Sequence, residues 1–380
     1  MIIMSLNQQL IDEKDVSGPE LVKSYILESF EVGSKLPSDE ELSEQLGTTR
    51  YAATRALTEL SAEGLVIRKP RSGSFLASRE RRIPENGIES KRIAFIASEF
   101  DSFLTSELLR GIESQCREKD FAVSLLNSDY SIDQESSNIK KVLTEEYNGA
   151  VIRVGEHHES VELVDRLVPE GYPLVFVDKS DNDFNFPCVK MNQFGAAYDG
   201  VKFLIERGHK KIAFIGYDNY HGCRFVEINR REEGYQAAMR EAGLEIKDGY
   251  IQRTKIFALN ERPTETYFYM LGYEPMNRLL LNKERPTAIF FLNFFMSIGA
   301  IRAIRDHGLK IPDDISIMCI DDEPVGRYMT PPMTVVAQPL REIGKRAVEV
   351  LDNMVEGRKP ERMGIKLDGR IIERGSVRRL

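Results

Sequence analysis

Between residues 92 and 320, short apolar runs recur between polar or glycine positions. They are Ile93–Ala97, Ala150–Val154, Leu174–Val177, Ile212–Ile215, Ala288–Leu292 and Ile315–Ile320. A run that is apolar at nearly every position, rather than at alternate ones, predicts a strand buried on both faces, as in a parallel sheet. The spacers have room for a crossover helix each, predicted at Leu104–Lys119, Gly195–Arg207 and Met296–His307. Strand–helix alternation of this kind predicts a doubly wound α/β architecture.

Residues 1–78 carry a different pattern. Leu21, Val22, Tyr25 and Ile26 recur at helical spacing after Pro19, which suits an early helical position. A turn at Gly33–Pro37 follows. Ser38 and Glu41 form a capping-box pair that opens a second helix, and Gly47 stops it. Thr48 or Thr49 caps a third helix over Arg50–Glu63, which Gly64 ends. Leu65–Lys69 and Gly73–Ala77 then read as two short strands around a turn at Pro70–Gly73. Three helices and a hairpin are the parts of a winged helix-turn-helix. Residues 79–91 form a polar linker in which Pro84 and Gly87 argue against a continuous helix.

Charge sharpens the reading. The 380-residue chain carries a net charge of −8, so any nucleic-acid surface must be local. Between Thr48 and Arg82 the balance reverses: eight basic residues (Arg50, Arg55, Arg68, Lys69, Arg71, Arg79, Arg81, Arg82) face three acidic ones (Glu59, Glu63, Glu80). They sit on the third helix and the wing, where a reader of this kind meets DNA. Arg55 also stands four residues before Glu59, the spacing of a helical ion pair. Cys116, Cys188, Cys223 and Cys319 are scattered and form no CxxC pair, which predicts reduced thiols and neither a zinc site nor a disulfide frame. The N-terminal stretch has no signal-peptide pattern and no apolar run spans a membrane, so a cytoplasmic protein is expected. No HExxH, GxxxxGK(S/T) or strand-linked GxGxxG occurs, so no catalytic residue, metal or cofactor is expected.

The segments GSKLPSDEELSEQLGTTR (33–50), RALTELSAEGLV (55–66) and RSGSFL (71–76) together resemble the GntR-family DNA-binding domain over most of residues 18–78. The resemblance implies that Thr48, Thr49, Arg50 and Tyr51 open the recognition helix. It places Ser38 at a backbone contact and Arg71, Ser72 and Gly73 at the wing tip. Thr54 stands where that family usually has a basic residue, and Arg55 follows it. Arg addresses guanine bidentately, and Thr or Tyr addresses phosphate or a thymine methyl.

From residue 92 onward the chain resembles the LacI/GalR-type effector domain, a two-lobed, type I periplasmic-binding-protein-like fold. LVFVDK (174–179), VKMNQFGAA (189–197), LIERGHKKIAFIG (204–216), REEGY (231–235), PTAIF (286–290), GLKIPDDIS (308–316), IDDE (320–323), Gln338–Pro339 and Gly344 carry that resemblance. The combination is similar to arabinose-responsive bacterial repressors. It implies one lobe of about 92–190 and 339–358 and another of about 191–320 and 359–380. The hinge crossings would fall at about 190, 321–338 and 359. Ligands of open α/β sheets bind at the carboxyl ends of the strands. The expected effector residues are therefore Phe100, Phe103, Arg153, Asp178, Asn192, Arg231, Asn293 and Asp321. Asn192 occupies a position that is usually acidic, and Phe294 stands where an acid commonly follows Asn293. Residues 254–270 read as an insertion. His157 and His158 read as exposed loop residues, and Phe291, Phe294 and Phe295 as core or dimer contacts.

The whole is expected to be a homodimeric, sequence-specific transcriptional regulator, a repressor on a pseudo-palindromic operator. A small carbohydrate-like effector would bind between its lobes. A ligand-silent dimerisation domain and a stand-alone sugar-binding protein are the competing readings.

Overall fold

The computed structural model describes residues 18–62, 64–69, 73–77, 91–153, 159–178, 186–218, 226–254, 265–360 and 362–380. The chain divides into two compact units, Met1–Ser90 and Lys91–Leu380.

The first unit holds helices α1 (Gly18–Ser29), α2 (Asp39–Leu46) and α3 (Arg50–Ala62), then strands β1 (Val66–Lys69) and β2 (Gly73–Leu76). The capping box is formed: Ser38 Oγ accepts from the Glu41 amide, while Glu41 Oε2 accepts from the Ser38 amide at 2.7 Å. Gly47 closes α2 in the left-handed conformation, at φ 59°. Val22, Ile26, Leu42, Ala53, Leu57, Leu60 and Leu76 form its small core. The hairpin is antiparallel, with Val66 opposite Leu76 and Lys69 opposite Gly73. The expected linker from 79 to 90 lies outside the described residues, as do Pro84 and Gly87. Lys91 is not linker, because it opens the first strand of the body.

The body begins with β3 (Lys91–Ala97), α4 (Phe103–Glu118), β4 (Phe121–Asn127), α5 (Ile132–Thr144), β5 (Gly149–Arg153), α6 (Glu159–Leu167), β6 (Leu174–Val177) and β7 (Cys188–Met191). A second series follows: α7 (Gln193–Glu206), β8 (Ile212–Tyr217), α8 (Val226–Glu241), β9 (Ile251–Thr254), α9 (Glu265–Leu280), β10 (Ala288–Phe291), α10 (Phe294–Asp306), β11 (Ser316–Ile320) and β12 (Thr334–Ala337). The chain then returns through α11 (Leu340–Val355), β13 (Gly364–Leu367) and β14 (Arg370–Ile372). One six-stranded sheet runs β13-β7-β6-β5-β3-β4 and the other β14-β12-β11-β10-β8-β9. The sheets are parallel throughout except for β14, which is antiparallel to β12. Each sheet is the frame of one lobe.

The apolar runs are buried on both sides, as their pattern demands. Ile93, Phe95 and Ala97 pack on the face covered by Leu108, Ile112 and Ala347, while Ala94 and Ile96 pack on the face covered by Ile139, Val142 and Val164. Helices α4 and α11 meet at two glycines. A Cβ on Gly111 would overlap the Arg341 carbonyl, and one on Gly344 the Leu108 carbonyl.

The chain passes between lobes three times, at Asn192, at Gln338–Pro339 and at Asp368–Gly369. The last lies beyond the expected position near 359, because Gly364–Leu367 pairs with Cys188–Met191 and keeps residues up to 367 in the first lobe. The second crossing is confined to the end of the expected 321–338 span, since Thr334–Ala337 pairs with β11. Within residues 254–270, helix α9 already starts at Glu265; Phe257 lies outside the described residues.

Candidate functional site

In the reader, Thr49 caps the recognition helix α3, its Oγ1 accepting from the Ala52 amide at 3.2 Å. Ser38, Thr49, Arg50, Tyr51 and Gly73 are exposed, Tyr51 by 75% of its surface. Thr48 is half-buried. Asp39, next to Ser38, accepts from Thr54 Oγ1 at 2.7 Å and pairs with Arg68 of β1 at 3.6 Å. One carboxylate thus ties α2, α3 and the wing strand together. Thr54 thus holds a carboxylate of α2. Arg55 is engaged by Glu59 at 2.8 Å, and Glu59 also holds Lys23 at 2.6 Å. Gly73 takes φ 100°, a conformation that favours glycine, and a Cβ there would press on the Lys35 side chain. Arg71 and Ser72 lie outside the described residues.

In the first lobe, three strand ends meet. Arg153, at the end of β5, donates from Nη1 to both oxygens of Glu99 at 3.1 and 3.2 Å, and from Nε to Asp178 Oδ2 at 3.1 Å. Thr105 Oγ1 completes the group, 2.8 Å from Glu99 Oε1 and 3.1 Å from Arg153 Nη1. All four are buried, so the guanidinium compensates two carboxylates in a medium where neither tolerates isolation. Phe100 is half-buried and packs edge-on against Phe95 at 5.4 Å.

In the second lobe, Arg231 is buried and donates from Nε to Gln193 Oε1 at 2.7 Å and from Nη1 to the Leu292 carbonyl at 2.6 Å. Asn293 caps α10 through its Oδ1 and donates from Nδ2 to Tyr217 Oη at 2.6 Å. Asp321, at the end of β11, accepts from Gln338 Nε2 at 2.5 Å. Burial raises its carboxyl above the ordinary range; Asp178 pushes the same way and Arg231 opposes it. Asp178 and Asp321 both adopt left-handed backbone, at φ 67° and 85°. Such strain at buried strand ends is characteristic of functional clefts. Asp322 is held by Arg327 at 2.9 Å and Arg374 at 2.6 Å. Glu323 is pushed up to about 7 by burial and by its two acidic neighbours.

A cavity of about 350 Å³ opens between the lobes beside the second and third crossings. Phe103, Leu104 and Glu107 line it from one lobe, Asp321 and Arg370 from the other, and Gln338 from the crossing itself. Of the expected effector residues, Phe103 and Asp321 meet in this cavity. Arg153 and Asp178 form the first-lobe cluster, and Arg231 and Asn293 lie together in the second lobe. Asn192 stands apart: its Nδ2 donates to Asp368 at 2.9 Å and its Oδ1 caps α7, so its amide serves the hinge. Glu99 falls within the strand-end stretch 98–103 that the sequence marks as a candidate, whereas Thr105, Gln193, Tyr217 and Gln338 are site partners that the sequence reading omits. Phe291 and Phe294 are fully buried and belong to the core. His157, His158 and Lys179 lie outside the described residues.

A winged DNA reader followed by a two-lobed body with polar strand ends facing a cleft defines a ligand-modulated transcriptional regulator. Residues 20–76 match bacterial regulatory proteins of the gntR family, and residues 201–377 match the periplasmic binding protein-like domain. The ribose operon repressor of Escherichia coli is 30% identical over 273 residues, covering 72% of this chain and 78% of its own. The repressor PurR of Pasteurella multocida is 27% identical over 290 residues, covering 76% and 82%. A LacI-family regulatory protein from Chloroflexus aggregans superposes with a TM-score of 0.64 at 29% identity, covering 76% of this chain and 99% of its own. The chain belongs to the family of LacI-type transcriptional repressors and carries a gntR-type DNA-binding domain. No described helix is long and apolar enough to cross a membrane.

Proposed function

We propose that this repressor binds a neutral, carbohydrate-like effector between its lobes, and that binding changes operator affinity. The observation that carries this reading is the cavity between the lobes, where Glu107 on one side meets Asp321 and Arg370 on the other, with Gln338 at the crossing. A polyol presents hydroxyls that donate to carboxylates and accept from guanidinium groups, so closing the lobes on it satisfies both walls. The ribose operon repressor among its relatives supports a sugar-sized ligand.

The working unit in this reading is a cytoplasmic homodimer that sets two readers on a pseudo-palindromic operator. Exposed apolar side chains support self-association: Tyr328 and Val325 after β11, Ile298 on α10, and Met270 and Leu281 on and beyond α9. Ser38, Thr48, Thr49, Arg50, Tyr51, Arg71, Ser72 and Gly73 would contact DNA, with Arg55 in a lesser role. Effector-induced rotation of the lobes would alter reader spacing, a coupling typically worth about 1–3 kcal/mol.

The test is binding of genomic fragments by the purified protein at two salt concentrations, repeated with a panel of sugars. Specific, salt-sensitive binding that one sugar relieves or enhances supports reader, sensor and coupling together. Specific binding indifferent to every sugar removes the ligand class and favours the ligand-silent reading.

A further inference from the structure

We infer that the outer edge of the first lobe holds a second ligand site, separate from the cleft, for a small phosphorylated metabolite. A cavity of about 290 Å³ lies there between α11 and the edge strand β13. It shares no lining residue with the cavity at the crossings. Arg346 and Asn353 line it from the helix, and Arg362 and Lys366 from the returning chain. Val350 and Ile365 give it an apolar floor. Among the described residues no carboxylate lines it.

The cations differ in their commitments. Arg346 is held by Glu349 at 2.7 Å, which fixes its guanidinium beside the cavity. Arg362 and Lys366 are exposed and make no ion pair among the described residues. On the same elements Asp352 holds Lys119 at 3.0 Å and Lys91 at 3.7 Å, and Glu356 pairs with Arg358. Three cations, Arg346, Arg362 and Lys366, thus border one cavity.

The backbone adds donors. Strand β13 is the last of its sheet, with a neighbour on one side only. The carbonyls of Met363 and Leu367 bond inward, to the amides of Cys188 and Asn192, each at 2.7 Å. In a parallel ladder the alternate residues, Gly364 and Lys366, then turn their N–H groups to the open edge. A Cβ on Gly364 would meet nothing, so the face of the strand above it is open. Outward amides beside an arginine fork and a lysine suit the tetrahedral oxygens of a phosphate group. The apolar floor leaves space for the organic part of a phosphate monoester.

The experiment is thermal unfolding of the full chain in inorganic phosphate, against chloride and sulfate at matched ionic strength. The variants are R362Q/K366Q and, as a second probe, N353D, which sets a carboxylate at the cavity while keeping an acceptor for Arg358. K140Q, an exposed lysine on α5, serves as the control. Phosphate, like the equally tetrahedral sulfate, should raise Tm above chloride in the parent and in K140Q. Its apparent affinity should fall about tenfold or more in R362Q/K366Q and in N353D. Glucose 6-phosphate and glucose then separate sources: a metabolite site prefers the ester to phosphate and ignores glucose. Equal shifts with all three salts, or a phosphate shift unchanged in R362Q/K366Q and N353D, would overturn the proposal. Preference for free phosphate over the ester would overturn the metabolite assignment.

Discussion

Asp178 and Asp321 are topological equivalents: each follows the fourth strand of its lobe, each is buried, and each turns into left-handed backbone. Only one is directly compensated by a guanidinium. Asp178 has Arg153 at 3.1 Å, whereas Asp321 has the Gln338 amide at 2.5 Å, the Phe294 backbone amide and the more distant field of Arg231. The second-lobe carboxylate therefore has more to gain from a donor brought by a ligand.

Asp321→Asn should remove effector response while preserving operator affinity, because it deletes a carboxylate acceptor in the body and touches no reader residue. Stability without effector should hold or rise by up to about 1 kcal/mol, since a buried charge that faces another acid is lost. Operator titrations with and without the active sugar, alongside urea unfolding, check both halves. Retained response would remove Asp321 from the site.

Arg153→Met should behave in the opposite way. It strands Glu99 and Asp178 in a buried position, and breaking a buried ion network of this kind typically costs about 3–5 kcal/mol. Urea unfolding measures the loss. A variant of near-parental stability would mean that water reaches these carboxylates.

In the reader, Arg50→Ala should weaken specific operator binding by about 1–3 kcal/mol if its guanidinium reads a base. Arg55→Ala should do less, because Glu59 already engages that side chain at 2.8 Å. Parallel electrophoretic titrations at fixed salt compare the two. A larger effect from Arg55 would show that its ion pair opens on DNA.

Two buried groups give opposite pH dependences. Glu323 is raised to about 7 in the folded protein, mainly by burial. The folded state holds its proton more tightly, so that contribution to stability is present at acid pH and is lost as pH rises through 7. His209 is held below the ordinary imidazole range, mainly by burial, so its contribution is lost as pH falls through that range. Glu323→Gln should therefore gain Tm relative to the parent between pH 5 and pH 8. A difference independent of pH would show that Glu323 does not titrate there.

At the contact of α4 and α11, Gly111→Ala should destabilise by about 1–3 kcal/mol, since its methyl would collide with the Arg341 carbonyl and force the helices apart. Differential scanning calorimetry reads this directly.

What the sequence made legible follows from where each element is buried. Strands covered on both faces, such as Ile93–Ala97, announce themselves as apolar runs. Strands β4, β7, β9, β12, β13 and β14 do not: Phe121–Asn127 mixes in Ala122 and Ser124, Cys188–Met191 contains the buried Lys190, and the edge strand Gly364–Leu367 alternates with exposed positions. That last pattern is why the third crossing reads too early. Asp178 and Asp321 are legible because strand ends point to clefts. Thr105 and Gln338 are not, because only tertiary packing brings them to Arg153 and Asp321. Asn192 shows the converse, a strand-end polar residue drawn into the hinge by Asp368.

The threefold exchange of chain between lobes also orders events at the ribosome. The reader's last strand ends at Leu76, whereas the first lobe waits for Gly364–Leu367 and the second for Arg370–Ile372. Domains fold from the N-terminus as they emerge, so a nascent molecule acquires its DNA-binding fold long before either half of its sensor is whole. Any product cut short between those points is a reader with an unfinished sensor.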